Sequence, residues 1–245
     1  MADRRDAGGG GHALTRAMLL AGGLDAMASR AAPGMRLLTD AERAESLDVT
    51  LAAHPDPASL AADGAWLFAY GSLLWNPTVH IVERRLVRVA GWQRRFCLNA
   101  RAGRGTADNP GLLLGLIEGE HCDGLALRVA AGEVTAELDL LWRREMLNRS
   151  YVPRWLPALD GDGRRLAALA FTMDPASRGY AGELTEDAVV ERLATARGEL
   201  GTCADYLFHT EAELRVHGID DPALATLADR VRARLAEIPP ARTAL

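Results

Sequence analysis

Five short strand-like runs, each cut off by turn-forming residues, occupy the stretch from Trp66 to Val129. They are Trp66 to Tyr70, Arg85 to Ala90, Arg94 to Leu98, Leu112 to Ile117 and Gly124 to Val129. Short strands at close spacing with turn signals between them suggest a sheet rolled into a small barrel. Arg85 to Ala90 alternates polar and apolar residues, the pattern of a half-buried strand. Gly91-Trp92 predicts a turn between the second and third runs, and Gly119-Glu120 a polar turn between the fourth and fifth. Arg101 to Gly111 reads as a long loop.

The period then changes. Val134, Leu138, Leu141, Trp142 and Met146 fall on one face of a helix over 132–148, with acidic residues near its start and arginines near its end. Trp155 to Leu159 and Arg165 to Phe171 follow as a strand pair around Asp160-Gly161-Asp162-Gly163, a hairpin signal. Helices are predicted over about 185–197, 203–216 and 221–237, with Gly218 and Pro222 as punctuation. Ahead of the strands, Thr39 and Glu42 have capping-box spacing and start a helix to about Leu51, with Leu47, Val49 and Leu51 partly buried. Pro55-Asp56-Pro57 breaks the chain after it. Residues 1–36, with glycine at 8 to 11, read as a flexible extension carrying one short helix. The expected architecture is α+β, a small barrel surrounded by helices, in a single domain over 37–240 that includes the accessory helix.

A net charge of −5 argues against a nucleic-acid footprint, which needs a basic face. The arginine pairs Arg84-Arg85 and Arg143-Arg144 read as solvated faces. Cys97, Cys122 and Cys203 form no C-x-x-C pair, and an odd, sparse count suits reduced thiols in the cytoplasm. Cys97, within Phe96-Cys97-Leu98, reads as a buried small hydrophobe. His209 and His217 read as lone histidines. No apolar run approaches membrane-spanning length. The run from Leu14 to Gly23 has a weak secretory look, but Arg16 interrupts it and Asp25 follows, so an unsecreted protein is expected.

Chemistry has few candidate carriers. The strand ending at Tyr70 meets Gly71-Ser72, where a sharp turn can leave amide N–H groups free for an anion or a developing oxyanion. An ordinary turn after a strand fits the same two residues. Glu145 lies near the end of the 132–148 helix, beside the apolar face. A carboxylate at a helix C-terminus is disfavoured, which raises its pKa and suits a general base. A surface glutamate paired with Arg144 or Arg149 fits equally well. Tyr151 and Tyr206 can each offer a hydroxyl to a polar ligand or be core tyrosines. Arg101 and Arg104, beside loop glycines, can clamp a carboxylate or be solvated charge.

Taken in order, these motifs carry a resemblance. They are Tyr70-Gly71-Ser72-Leu73-Leu74-Trp75-Asn76-Pro77, Gly91-Trp92, Phe96-Cys97-Leu98 and Arg104-Gly105-Thr106 through Asn109-Pro110-Gly111. Leu141-Trp142-Arg143-Arg144-Glu145-Met146, Tyr151 with Pro153, Phe171 with Met173-Asp174-Pro175, and Leu200-Gly201-Thr202 before Tyr206-Leu207 complete the series. The succession, over about residues 40 to 237, resembles the ChaC family, the glutathione-specific γ-glutamylcyclotransferases. The resemblance implies a six-stranded-barrel type of fold and conversion of glutathione to 5-oxoproline and cysteinylglycine, without metal or cofactor. It makes Glu145 the catalytic acid/base and Tyr70, Gly71, Ser72 and Leu73 the holder of the γ-glutamyl group. Tyr151, Tyr206 and Arg104 are added as substrate-binding residues on their chemistry. Glutathione is the expected small-molecule partner, with neither nucleic acid nor membrane, and oligomeric state left open. A cyclotransferase for other γ-glutamyl amino acids or γ-glutamylamines, and a non-catalytic γ-glutamyl-binding module, are the alternatives.

Overall fold

A computed structural model of the chain describes residues 14–239. Its strands are β1 (Ala65–Ala69), β2 (Glu83–Ala100), β3 (Gly111–Val129), β4 (Tyr151–Asp160), β5 (Arg165–Met173), β6 (Arg197–Gly198) and β7 (Gly201–Thr202). Its helices are α1 (Arg16–Leu20), α2 (Gly23–Ala31), α3 (Asp40–Ala52), α4 (Pro57–Asp63), α5 (Val134–Glu145), α6 (Glu186–Thr195), α7 (Cys203–Val216) and α8 (Pro222–Glu237). The first five strands close a barrel in the order β1-β3-β2-β4-β5, and β5 returns parallel to β1 through Trp66–Ala168 and Leu67–Leu169. The α+β barrel class is as expected, but the barrel has five strands where the resemblance implies six.

Seven strand runs read from the sequence become five barrel strands because two glycine positions are bulges, not turns. Ala90 faces His121 and Trp92 faces Glu118, so Gly91 alone stands opposite Gly119 and Glu120. Gly91 takes φ 82°, open to glycine at little cost. A second shift, between Phe96–Leu114 and Leu98–Leu113, makes Cys97 the extra residue on β2. Bulges bend and twist a strand without ending it. The four runs between Arg85 and Val129 are therefore two long, curved strands that wrap the barrel.

Leu67, Phe68, Leu114 and Leu127 are fully buried, and because adjacent Leu67 and Phe68 face opposite sides of β1, the barrel wall is covered on both sides there. Onto it packs α5, whose predicted apolar face is all buried and whose Trp142 meets Phe171 edge-on at 5.2 Å. Burying one such side chain is worth about 1.5–3 kcal/mol. Past Glu145 the backbone leaves the helical region at Met146, so Glu145 is the last helical residue. The β4–β5 hairpin and the three C-terminal helices lie where the sequence places them.

Two expectations change at the N-terminal side. On α3 the Thr39–Glu42 capping box is present and Leu47 is buried, but Val49 is 65% exposed. Helical period puts 47 and 49 on different faces, so they cannot be buried together. Pro55-Asp56-Pro57 ends α3 and also starts α4, with Asp56 as its cap. Residues 14–36, expected as a flexible extension with one short helix, hold two helices whose Leu19 and Met27 are each 1% exposed. The glycine run at 8 to 11 lies outside the described residues. The three cysteines are free and buried, and burial pushes each thiol up to about 11, as suits small core hydrophobes. Among the described residues no helix is long and apolar enough to cross a membrane.

Candidate active site

Strand β1 delivers the chain to the Gly71-Ser72 turn, which becomes a short 3-10 turn at Ser72–Leu74. The turn's backbone bonds come from Leu74 to the Gly71 carbonyl and from Trp75 and Asn76 to the Ser72 carbonyl. The amides of Gly71, Ser72 and Leu73 take no part in those bonds. Gly71 is needed for space: a Cβ there would stand 2.8 Å from the Tyr206 hydroxyl oxygen. One residue earlier, the Tyr70 carbonyl accepts a hydrogen bond from Arg94 Nη1 at 2.7 Å. Arg94 is itself held by Asp221, at the head of α8, through Nε at 2.9 Å, and its other Nη donates to the Asp123 carbonyl. The guanidinium thus fixes the peptide plane that leads into the turn.

Across from the turn stands the end of α5. Its Glu145 side chain is 15% exposed, with Arg144 Nε 2.8 Å from Oε1. Arg144, read from sequence as a solvated charge, is buried instead. Its remaining donors reach Ser72 Oγ at 2.7 Å, Thr78 Oγ1 at 3.2 Å and the Asn76 carbonyl. One arginine therefore joins the carboxylate to the turn seventy residues away. Burial pushes the Glu145 carboxyl above its ordinary value, and the Arg144 charge and hydrogen bond only partly oppose it. Because Ser72 Oγ accepts from Arg144, its own O–H is left to donate elsewhere.

Three tyrosines surround this pair. Burial, reinforced by the Glu145 carboxylate and opposed by the Leu114 and Ser72 backbone and Arg144, pushes the Tyr206 hydroxyl up to about 12. Burial also raises Tyr70 and Tyr151 well above the usual phenol value, each reinforced by Glu145. All three stay neutral donors at physiological pH. Tyr151 donates to the Leu114 carbonyl at 2.9 Å and Tyr70 to the Phe171 carbonyl at 2.7 Å.

A cavity of about 980 Å³ opens beside Glu145. Ser72, Arg104, Glu145, Tyr151 and Tyr206 line it, which brings five of the eight expected site residues to one wall. Tyr70, Gly71 and Leu73 are not lining residues; Tyr70 and Leu73 are buried in the core and support the turn from behind. Arg104 is half-buried. Its Nη1 donates to the Thr202 carbonyl at 3.0 Å and its guanidinium lies 5.9 Å from the Trp75 ring. Burial lowers its pKa and Asp205 opposes that, so it remains a cation facing the cavity. Arg101 and His209 also line the cavity from exposed positions. Sequence reasoning missed Arg144 and Arg94 as site residues. Arg144 had a readable signal, its place one residue before Glu145 at the end of an amphipathic helix. Arg94 had none, because its partners lie on three separate elements.

Residues 65–234 match the family model described as ChaC-like protein. The chain is 42% identical over 202 residues to the glutathione-specific γ-glutamylcyclotransferase of Escherichia coli K12, covering 82% of this chain and 85% of that protein. It is 31% identical over 186 residues to human glutathione-specific γ-glutamylcyclotransferase 1, covering 74% and 84%. Among solved structures, a glutathione-specific γ-glutamyl cyclotransferase from yeast shares the fold with a TM-score of 0.66 at 19% identity, over 71% of this chain and 98% of its own.

Proposed function

The chain belongs to the ChaC family, and from that premise we propose that it is a glutathione-specific γ-glutamylcyclotransferase. It is a lyase that converts glutathione to 5-oxoproline and cysteinylglycine. The observation that carries the reading is Glu145, a buried carboxylate with a raised pKa, tied through Arg144 to the turn that faces it across one cavity.

In the reaction, the α-amine of the γ-glutamyl residue attacks that residue's own γ-carbonyl. A five-membered lactam forms and the amide bond to cysteine breaks. The nucleophile is tethered, so effective molarity supplies much of the acceleration. The amine is protonated in water, and Glu145 as carboxylate takes the proton before attack. Its raised pKa makes the resulting carboxylic acid long-lived enough to return that proton to the departing amine of cysteinylglycine. The second proton, shed by the ring nitrogen once it has bonded to carbon, follows, so that cysteinylglycine leaves as the ammonium. The Ser72 hydroxyl, the group of the turn that faces the cavity with its O–H free to donate, stabilises the oxyanion of the tetrahedral intermediate. Tyr206, and Tyr151, whose O–H is held by the Leu114 carbonyl so that its oxygen is left to accept from the α-amine, close the polar end around the γ-glutamyl head, and Arg104 faces its carboxylate. The cytoplasm, where the three cysteines stay thiols, is its compartment.

Incubating the full chain with glutathione and quantifying both products by mass spectrometry tests the reading. Equimolar 5-oxoproline and cysteinylglycine are expected, with much slower release from γ-glutamylalanine. Activity on γ-glutamylalanine alone would move the specificity to other γ-glutamyl amino acids, and no 5-oxoproline from either would leave a binding module.

A further inference from the structure

The cavity's lining is unevenly polar. Glu145, Ser72 and Tyr206 belong to the site already described, whereas Leu24, Met27 and Met35 from the N-terminal segment and Leu200 add apolar surface among polar neighbours that include Arg101, Arg104 and Asn148. Met27 and Leu200 meet over Gly103: a Cβ on that glycine would lie 3.1 Å from Leu200 Cδ1 and 3.5 Å from Met27 Cε. At about 980 Å³ the cavity sits at the upper end of small-molecule sites, roughly 300–1,000 Å³. Methionine thioethers adapt to ligands of varied shape, and this wall holds two of them.

The wall is built onto the site by specific contacts. Asn76, next to the catalytic turn, donates from Nδ2 to the Leu14 carbonyl at 2.8 Å. Arg16 clasps the 3%-exposed Glu137 of α5 with both Nη atoms, at 2.6 and 2.7 Å. Arg43 on α3 holds Asp25 of α2 at 2.7 Å. The segment lies outside residues 65–234, the stretch that matches the family model. It therefore adds to the site a surface the family match does not itself describe.

We propose that these apolar residues form a subsite for the leaving portion of the substrate, and that it lets the enzyme take glutathione carrying a small apolar group on sulfur. The inference rests on the function proposed above. With the γ-carbonyl at Glu145, the rest of the tripeptide extends along the cavity, where Met35 Sδ lies 3.4 Å from Nδ2 of Asn148, three residues past the helix end at Glu145. Its carboxylate end has the exposed Arg101 to face, and its cysteine side chain has the methionines. The bonds made and broken are those of the glutathione reaction. The γ-amide C–N bond breaks, the lactam C–N bond forms, the two protons pass to the leaving amine, and the thioether is untouched. The products are 5-oxoproline and S-substituted cysteinylglycine.

The test compares glutathione with S-butylglutathione by 5-oxoproline release, in the wild type and in Met27→Gln and Met35→Gln. The half-buried Met35 keeps the test open if the Met27 variant folds poorly. Turnover of S-butylglutathione is expected with a KM no higher than that of glutathione. In the variants its KM should rise about tenfold relative to that of glutathione, while the ratio of the two kcat values holds. Turnover of glutathione with none of S-butylglutathione overturns the subsite and leaves the proposed function standing. So does an equal change in KM for both substrates in both variants. Failure on glutathione itself would instead bring down the function, and the subsite with it.

Discussion

Helix α5 carries a glutamate near each end, and the two behave oppositely. Both side chains are largely out of water and both touch an arginine. Glu137, in the first turn, receives Nη1 and Nη2 of Arg16 at 2.6 and 2.7 Å and the His80 amide at 3.0 Å. Burial pushes its pKa up, yet these donors and the nearby charges carry it below the ordinary carboxylate value. Glu145, in the last turn, has the Nε of Arg144, whose other nitrogens are spent on Ser72, Asn76 and Thr78. There burial prevails and the pKa is raised. The helix dipole adds to the contrast, favouring an anion at the first turn and opposing one at the last. An arginine beside a carboxylate therefore does not say whether the pair is a strap or a proton carrier. The number of donors left for the carboxylate decides.

The contrast breaks most visibly at Glu145. Glu145→Gln should lower kcat for 5-oxoproline formation by about 10²–10⁴-fold. Its melting temperature at pH 7 should not fall, because a neutral amide removes a buried charge whose ionised form folding disfavours. Wild-type-like turnover would remove Glu145 from the mechanism. Next in size is Arg144→Met, which takes away the one cation opposing the rise. The acid limb of kcat/KM should move to higher pH, and the neutral-pH rate should drop about 10–100-fold through loss of the Ser72 and Asn76 contacts. Arg144→Lys should fall between, restoring charge without the fork. An acid limb that stays in place in Arg144→Met would show that Arg144 does not set the Glu145 carboxyl.

The smallest effect falls at the other end. Glu137→Gln should cost about 1–3 kcal/mol in urea unfolding by leaving Arg16 half-paired, with kcat on glutathione per folded molecule kept. pH should separate the two carboxylates in the wild type. On acidification, Glu145 protonates first, above its ordinary value. Activity is lost there while stability holds or rises, because the folded state favours the protonated form. Glu137, with a depressed folded pKa, contributes stability that is full above its unfolded value and lost as pH falls through its folded one. Melting temperatures that decline in step with activity would contradict this order.

The parts legible in the sequence are those fixed by local chemistry. The Thr39–Glu42 cap, the apolar face of α5 and the Asp160–Gly163 turn each depend on residues within a few positions of one another. Glu145 was legible through its place on a helix and through the ordered motifs. The bulges at Gly91 and Gly119 were not, because a glycine that kinks a paired strand looks like one that ends it. Which glycine is which depends on the register across β2 and β3. Arg144 was misjudged for a related reason. Beside another arginine it reads as solvent-facing, and only the fold of the 72–78 turn back over α5 supplies its three acceptors. The N-terminal helices escaped because Arg16 and Glu137 meet across 121 positions.

Arg94 carries a consequence for how the protein is made. It grips the Tyr70 carbonyl with one hand and Asp221 with the other, and Asp221 opens the last helix. The catalytic turn is translated in the first third of the chain, but its clamp is completed only when the final helix docks. A nascent chain stalled before residue 221 has no Asp221 carboxylate to anchor the arginine that fixes the peptide plane leading into the turn. The ability to destroy glutathione should therefore switch on late, with the finished chain, not grow in step with its synthesis.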